Sequence, residues 1–520
     1  MQFFARKGYQ CSWRKAGEAY TRWLAVLLAA FCGLAIQAGA CTELTAGTPF
    51  WVRLTSPVSS YDAKPGTSVH GFLLESPECD ETPVLPMRVP VEGKVVAVHR
   101  VGLGIRRETA SLEIEFLRLV PSASKPIEIK SRVMRLDNAR ESVKNGVIHG
   151  IVSTDTPQGR ISSRLKYLPS LHLYPDPFLL GFKMLFPVFP EPEIYLAPGT
   201  DVEAQLTQPV NLPVDLPQAP AVPAMQHEND LAQDLDGLPE RTFTKKGKEA
   251  DVINLVFVGS RAEVEQAFQS AGWKPSEHVS KGAVLHQFSA FLGKTNYATA
   301  PISAQWMDGH PADLTLEKTF DSYGKRNHVR IWALEKTWEG EPLWASAAVH
   351  ETGATLSVRH KGFMHHVSED VAEEQHMVVR DLEAAGCVDS IGSIARPDMD
   401  HMMQNATGEF FRTDGTLDVV RLKACEFDSQ GAGFSNAPPP KPGSRAFRYT
   451  RREILTVRSD LWRANCIYSL FDVTRITVKA LRQNSSHRAE EASFRQENHR
   501  TLTTGLPQPD TSPHEAELGP

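Results

Sequence analysis

Between residues 44 and 212 apolar and polar positions alternate over short runs. VEGKVVAVHRVG (91–102), ASLEIEFLRLV (110–120) and KPIEIKSRVMRL (125–136) each keep a period of two, with Gly, Pro or Asn between them. A period of two sends neighbouring side chains to opposite faces of a strand, and several such runs joined by turn residues predict a barrel or sandwich. Two further stretches echo each other: LTAGTPFWVRLTSPV (44–58) and LAPGTDVEAQLTQPV (196–210). Each has a turn at Gly-Thr, an alternating strand and a break at proline. They bracket an all-β domain over 44–212, and its first and last strands are expected to lie side by side.

The pattern then changes. PVDLPQAPAVPAMQHENDLAQDLDGLPE, from residue 213, is proline-rich and then acidic, and the stretch 213–248 reads as a linker. DVINLVFVG (251–259) predicts a buried strand, and Ser260 with Glu263 forms a capping box that opens a helix to about Ala271, where Gly272 stops it. HVRIWALEK, PLWASAAVHET and ATLSVRH read as three consecutive strands, followed by a helix from about Glu369 to Ala385. The order strand, helix, strands, helix predicts an α+β domain over 249–427. Residues 428–444 read as a second linker. Residues 445–483 are basic and amphipathic, with Leu455, Leu461, Ile467, Leu470 and Ile476 roughly on one stripe, suited to packing on a domain or to an anionic membrane surface. The polar composition of 484–520 predicts a disordered tail.

The N-terminus adds a location. A basic stretch over 1–22, carrying Arg6, Lys7, Arg14, Lys15 and Arg22, precedes the uncharged run WLAVLLAAFCGLAIQAGA (23–40). That run is just long enough to span a bilayer, and the basic flank favours the cytoplasmic side. It ends in Ala38-Gly39-Ala40, a cleavage-like pattern, with Cys41 next. A transmembrane anchor, a cleaved signal peptide and a lipoprotein signal all place the remainder outside the cytoplasm. The cysteines beyond the leader (Cys41, Cys79, Cys387, Cys425 and Cys466) permit one or two disulfides and contain no C-x-x-C pair. With 41% hydrophobic and 23% charged residues, and a net charge of only −6 over 520 residues, nothing steers the chain toward nucleic acid.

Two stretches carry candidate chemistry. In GFMHHVSEDVAEEQH (362–376), Ser368 suits an N-cap with acids in the first helical turn. At ~100° per residue, Val371, Val378, Leu382 and Ala385 form the buried stripe, Asp370, Glu374 and Asp381 flank it, and His376 and Arg380 point to solvent. His366, Asp370 and Glu374 are then candidate ligands for a divalent metal, or for proton transfer. The competing reading is a helix start with dipole-matched acids and a structurally paired histidine. In RNHVRIWALEK, the residues Arg326, His328, Arg330 and Trp332 share one strand face, and the first three could grip a phosphate or carboxylate. Equally, they could face water or pair with Asp370 and Glu374. Ser163-Arg164 with His172 and Asp176 has the wrong spacing for the lipid-phosphatase signature it superficially suggests. Phosphate-loop, dinucleotide-binding, nucleophile-elbow and H-E-x-x-H motifs do not occur.

Residues 251–387 resemble the LssY C-terminal-domain family. The likeness rests on AGW (271–273), APIS (300–303), DLTLEKTF…KRNHVRIW (313–332) and FMHHVSEDVAEE, where the family reads like THHIDPDIDAER. His366, Asp370 and Glu374 keep the recurring residues; Gln375 replaces an arginine and His376 an aspartate. The family is typically attached to bacterial membrane proteins, so the resemblance implies an envelope role rather than a reaction. The β domain more loosely resembles accessory domains of envelope proteins with PxGTxxxxxLxxP strands. The sequence therefore leads to a membrane-associated envelope protein with two extracytoplasmic domains. It meets the membrane through its N-terminal segment and acts as a non-catalytic binding module for an anionic ligand or an envelope protein partner. The alternative is a metal-assisted hydrolase of a phosphorylated or lipid-linked substrate.

Overall fold

The computed structural model describes residues 42–79, 82–103, 108–121, 125–138, 140–152, 191–213, 222–277, 299–319, 326–357 and 362–427. It also describes Leu216 and scattered residues between 280 and 297 and between 443 and 481. The apolar run at 23–40 and the residues Ser163, Arg164, His172 and Asp176 lie outside the described residues. Among the described residues no helix is long and apolar enough to cross a membrane.

The alternating runs form strands β1 (Pro49–Leu54), β2 (Ser68–Glu75), β3 (Pro90–His99), β4 (Ser111–Leu119), β5 (Ser131–Leu136), β6 (Val147–His149) and β7 (Asp201–Leu206). Their order is β5-β7-β1-β2-β3-β4-β6, every pair antiparallel. A short strand at Ile127–Glu128 pairs with β4 and leads into β5, where the Ser131 hydroxyl donates to Phe116 O at 3.1 Å and accepts from Phe116 N at 2.9 Å. The sheet thus curls into a nearly closed barrel. Its inward residues, among them Phe50, Val52, Leu54, Val95, Ile114, Phe116 and Val133, form one buried core.

The two echoing stretches do lie side by side as β1 and β7, with Arg53 opposite Asp201 and Val52 opposite Val202. They are related by a local two-fold. Gly47 N donates to Leu206 O at 2.9 Å and Gly199 N to Leu54 O at 2.7 Å, while Leu206 N donates to Thr48 O and Leu54 N to Thr200 O. The shared Gly-Thr turn has a physical reason. Gly47 (φ +102°) and Gly199 (φ +90°) occupy the left-handed region, where a side chain is strained.

The second domain contains α1 (Glu228–Asp234), β8 (Leu255–Val258), α2 (Arg261–Ser270), β9 (Leu314–Thr319), β10 (Arg326–Trp338), β11 (Glu341–Ser357), β12 (Gly362–Val367), α3 (Val371–Ala384), β13 (Val388–Ala395) and β14 (Thr416–Leu422). Its sheet runs β9-β10-β11-β8-β14-β13, with β12 on β11; β8 and β14 are parallel and the other pairs antiparallel, a mixed sheet as expected for α+β. α2 and α3 cover one face, burying Phe268, Val378 and Leu382 against Val329 and Ile331. The opposite face buries Trp332, Val256, Val258 and Leu417 with Leu231 and Met225.

Two expectations change. PLWASAAVHET and the ATLS that follows it are one strand, β11, in which the ladder to β12 shifts register between Glu351 and Gly353 and then continues to Ser357; residues 358–360 lie outside the described residues. Residues 222–248 are not linker: Met225 N bonds Ile391 O, α1 buries Leu231, and Arg241–Phe243 is a strand. Average composition hid the few apolar anchors that matter. At the far end, Leu455 is buried in the barrel core and Arg451 pairs with Glu191 and Glu193, so this described part of the basic segment packs on the domain.

The Ser260 capping box is formed as expected, with Glu263 N on Ser260 Oγ at 3.3 Å and Ser260 N on Glu263 Oε2 at 2.7 Å. Ser260→Ala is expected to cost about 1 kcal/mol. A urea-unfolding midpoint equal to that of the native chain would show that the box contributes nothing.

Candidate functional site

Strand alternation decides the fate of the arginine–histidine face. On β10 the even positions point away from α2 and α3, toward Ser303 and Asp251. Arg326 is 1% exposed; its Nε and Nη2 donate to Glu351 Oε2 at 3.0 and 2.9 Å, and Nη1 lies 3.4 Å from Glu317 Oε2. His328 Nδ1 lies 3.5 Å from Glu351 Oε1. Arg330 donates to Asp251 Oδ2 at 2.7 Å and twice to Ser303 O. Both guanidiniums are therefore engaged inside the fold, by Glu317, Glu351 and Asp251 rather than by Asp370 or Glu374. Burial drives the Glu317 carboxyl up to about 8, against the pull of Arg326 and with the help of Glu351.

The residues His366, Asp370 and Glu374 separate. His366 Nδ1 pairs with Glu409. Asp370, not Ser368, is the N-cap of α3: its side chain accepts from Ala372 N at 3.0 Å, while Ser368 Oγ accepts from Asp370 N. Glu374 is 1% exposed and lies 3.5 Å from His350 Nδ1, a β11 residue on the helix face. It is thus on the opposite side of the sheet from Arg326, His328 and Arg330. Among the described residues no group of three or more His, Cys, Asp or Glu side chains is placed to hold a metal ion. His376 is exposed as expected, but Arg380 is half-buried against the barrel.

That burial exposes what sequence reasoning missed: α3 packs between the two domains. Asp381, expected to flank the stripe, is fully buried. Its Oδ1 accepts from Arg53 Nη2 of the barrel at 2.7 Å, and its Oδ2 accepts from Trp273 Nε1 at 3.1 Å and from Lys318 Nζ. Arg53 meanwhile holds Asp201 through two bonds of 2.7 and 2.8 Å. Burial alone would raise the Asp381 carboxyl, but Lys318 and Arg53 outweigh it and hold it down to about 2. The AGW and DLTLEKTF stretches supply Trp273 and Lys318, and the first of the echoing strands supplies Arg53.

Around this centre the contacts pair up. Trp51 lies between the guanidiniums of Arg135 (4.9 Å) and Arg380 (5.0 Å), which bond Glu373 and Glu75 across the interface. Arg88 lies over Phe72 (4.6 Å) and Phe427 (4.0 Å) and donates to Ala384 O. A Cys387–Cys425 disulfide ties the end of α3 to the segment bearing Phe427. Beside these contacts opens a cleft of about 970 Å³, walled by barrel residues such as Trp51 and Asp137 and by Glu374, His376 and Glu383 of α3. Burial, then Asp137 and Asp381, hold the Glu374 carboxyl well above its ordinary range. Burial and the nearby Glu75 push Glu383 to about 7.

Residues 235–417 match the family model described as the LssY C-terminus. No curated protein matches the chain. A solved structure, ComB10 of the Com type IV secretion system of Helicobacter pylori, is similar over 34% of this chain and 93% of that one, at 10% identity and a TM-score of 0.20.

Asp381→Asn would leave Arg53 and Lys318 buried with half their counter-charge, and is expected to cost roughly 3–5 kcal/mol in urea unfolding; a loss under about 1 kcal/mol would contradict the network's role. The raised carboxyls give a second expectation. The native chain keeps protons on Glu317 (about 8) and Glu383 (about 7) that the unfolded chain releases near 4.5. Their stabilising contribution is complete below pH 4.5 and is lost as pH rises to about 8, at up to ~1.4 kcal/mol per pH unit for each group. Asp381 has the opposite sign: its contribution holds above 3.8 and fades only toward pH 2. Tm should therefore fall between pH 5 and pH 8, and Glu317→Gln should flatten that fall. A Tm that rises over this interval would contradict the assignment.

Proposed function

We propose that this chain, whose second half is an LssY C-terminal-like domain, is an accessory binding module of the bacterial cell envelope. Its barrel and LssY-like domains act as one rigid body, held outside the cytoplasm by the N-terminal apolar run, and engage an envelope protein partner in the cleft between them. The observation that carries this reading is the buried Arg53–Asp381–Lys318 cluster joining the domains. Such a cluster forms only if the two domains meet in one fixed arrangement, and the cleft is built from both of them. A preorganised concave surface of this kind suits recognition, because little conformational freedom is lost on binding.

Two further features support it. The groups best suited to gripping an anion, Arg326 and Arg330, spend their donors on Glu351, Glu317, Asp251 and Ser303, which favours the protein partner over the anionic ligand. The Cys387–Cys425 disulfide fits an oxidising compartment.

The test uses the full chain in cells. Fractionation should recover it with the envelope, with Cys387 and Cys425 protected from maleimide until a reductant is added. A photo-crosslinking residue at His376, exposed in the cleft wall, should give one discrete adduct that the same residue at exposed His310 does not. Recovery in the cytosol with both thiols free, or identical behaviour at the two positions, would overturn the proposal.

A further inference from the structure

We infer that the interdomain cleft recognises a basic, partly apolar peptide segment of the partner protein, with a guanidinium or ammonium group seated against Glu374. This deepens the reading above and rests on it.

The charge of the walls comes first. Nine acidic side chains line the cleft against four Arg or Lys side chains, and burial favours the protonated form of two of the nine, Glu374 and Glu383. Those four cations are already engaged: Arg135 by Glu203 and Glu373, Arg380 by Glu75, Lys423 by Glu426, and Arg88 by Ala384 O between two phenylalanine rings. With Glu75, Glu373 and Glu426 taken up in those pairs, the other lining acids still outnumber the cations, and the balance left for a ligand is negative. Between the acids lie Trp51, Met87, Val222, Met377 and Val379, which suit the aliphatic stems that carry a lysine or arginine head.

An independent observation points to one seat. Glu374 is 1% exposed, lines the cleft, and its Oε1 has no hydrogen-bond partner. A buried carboxyl oxygen left unbonded is costly, and a charged donor from a ligand removes that cost. The groups facing Glu374 are His350 from β11, Lys318 from β9, Asp137 from the barrel, and Glu373 and Asp381 from its own helix. Burial and the surrounding acids favour its protonated form, so a cation arriving there displaces a proton.

The probe is a dodecapeptide of alternating leucine and arginine, titrated calorimetrically into the full chain. Its glutamate-for-arginine counterpart and spermidine serve as controls. The arginine peptide should bind with proton release, more tightly at pH 8 than at pH 6, while the glutamate peptide does not bind. Spermidine, which lacks apolar side chains, should bind more weakly. Glu374→Gln keeps the shape and removes the titrating group. It should weaken the arginine peptide roughly ten- to hundred-fold and reduce the proton release to what Glu383 in the same cleft supplies. Equal binding by E374Q, or equal binding of the acidic peptide, overturns the inference. The crosslink from position 376 separates the two levels. If the adduct persists while the arginine peptide fails to bind, only the basic-segment assignment falls. If the adduct is absent, the partner reading falls with it.

Discussion

A carboxylate with no exposed surface can persist only if its counter-charges are placed as exactingly as it is. Asp381 is such a group, and the positions of its partners set the architecture around it. Desolvating an ion pair costs several kcal/mol per ion, and only close, hydrogen-bonded geometry offsets that. Arg53 must therefore reach out of the barrel, Lys318 must reach across from β9, and the Trp273 indole must close the remaining lone pair. Moving either domain by an ångström or two would leave charge buried without a partner.

From that requirement the rest of the interface follows. α3 becomes a shared element: Val378 and Leu382 belong to the core of its own domain, while Ala384 packs with Phe72 and Leu74 of the barrel. The guanidinium pairs around Trp51, and Arg88 over Phe427, extend the contact outward, and the disulfide fixes the segment that carries Phe427. A cleft with walls from two domains keeps its shape only because those domains are held in this way. Three of the four cations in its walls, Arg88, Arg135 and Arg380, are held in contacts across the interface, and the acids that line it outnumber them.

Features governed by short range were legible in the sequence. The capping box needs only Ser260 and Glu263, three residues apart, and it formed. The echoing Gly-Thr turns specified matching strand starts, and the strands paired. Alternation placed Arg326, His328 and Arg330 on one face correctly, but could not say that Glu317, Glu351 and Asp251 would meet them there. The periodicity of the helix indicates one core and a solvent face, whereas the helix packs against two cores. Arg53 and Asp381 lie 328 residues apart, and no periodicity within either segment encodes their contact. Two signals were nonetheless present. Arg53 interrupts the otherwise apolar FWVRL, and Phe72-Leu73-Leu74 breaks the barrel's alternation with three apolar residues in a row, as a strand covered on both faces does.

The barrel and the LssY-like domain should behave as one cooperative unit joined at Asp381. Differential scanning calorimetry of the full chain and of Arg53→Met tests it most directly. The native chain should show one transition, and Arg53→Met a lower first transition with the two domains melting separately. Two resolved transitions in the native chain, with the LssY-like domain's unmoved by Arg53→Met, would contradict it.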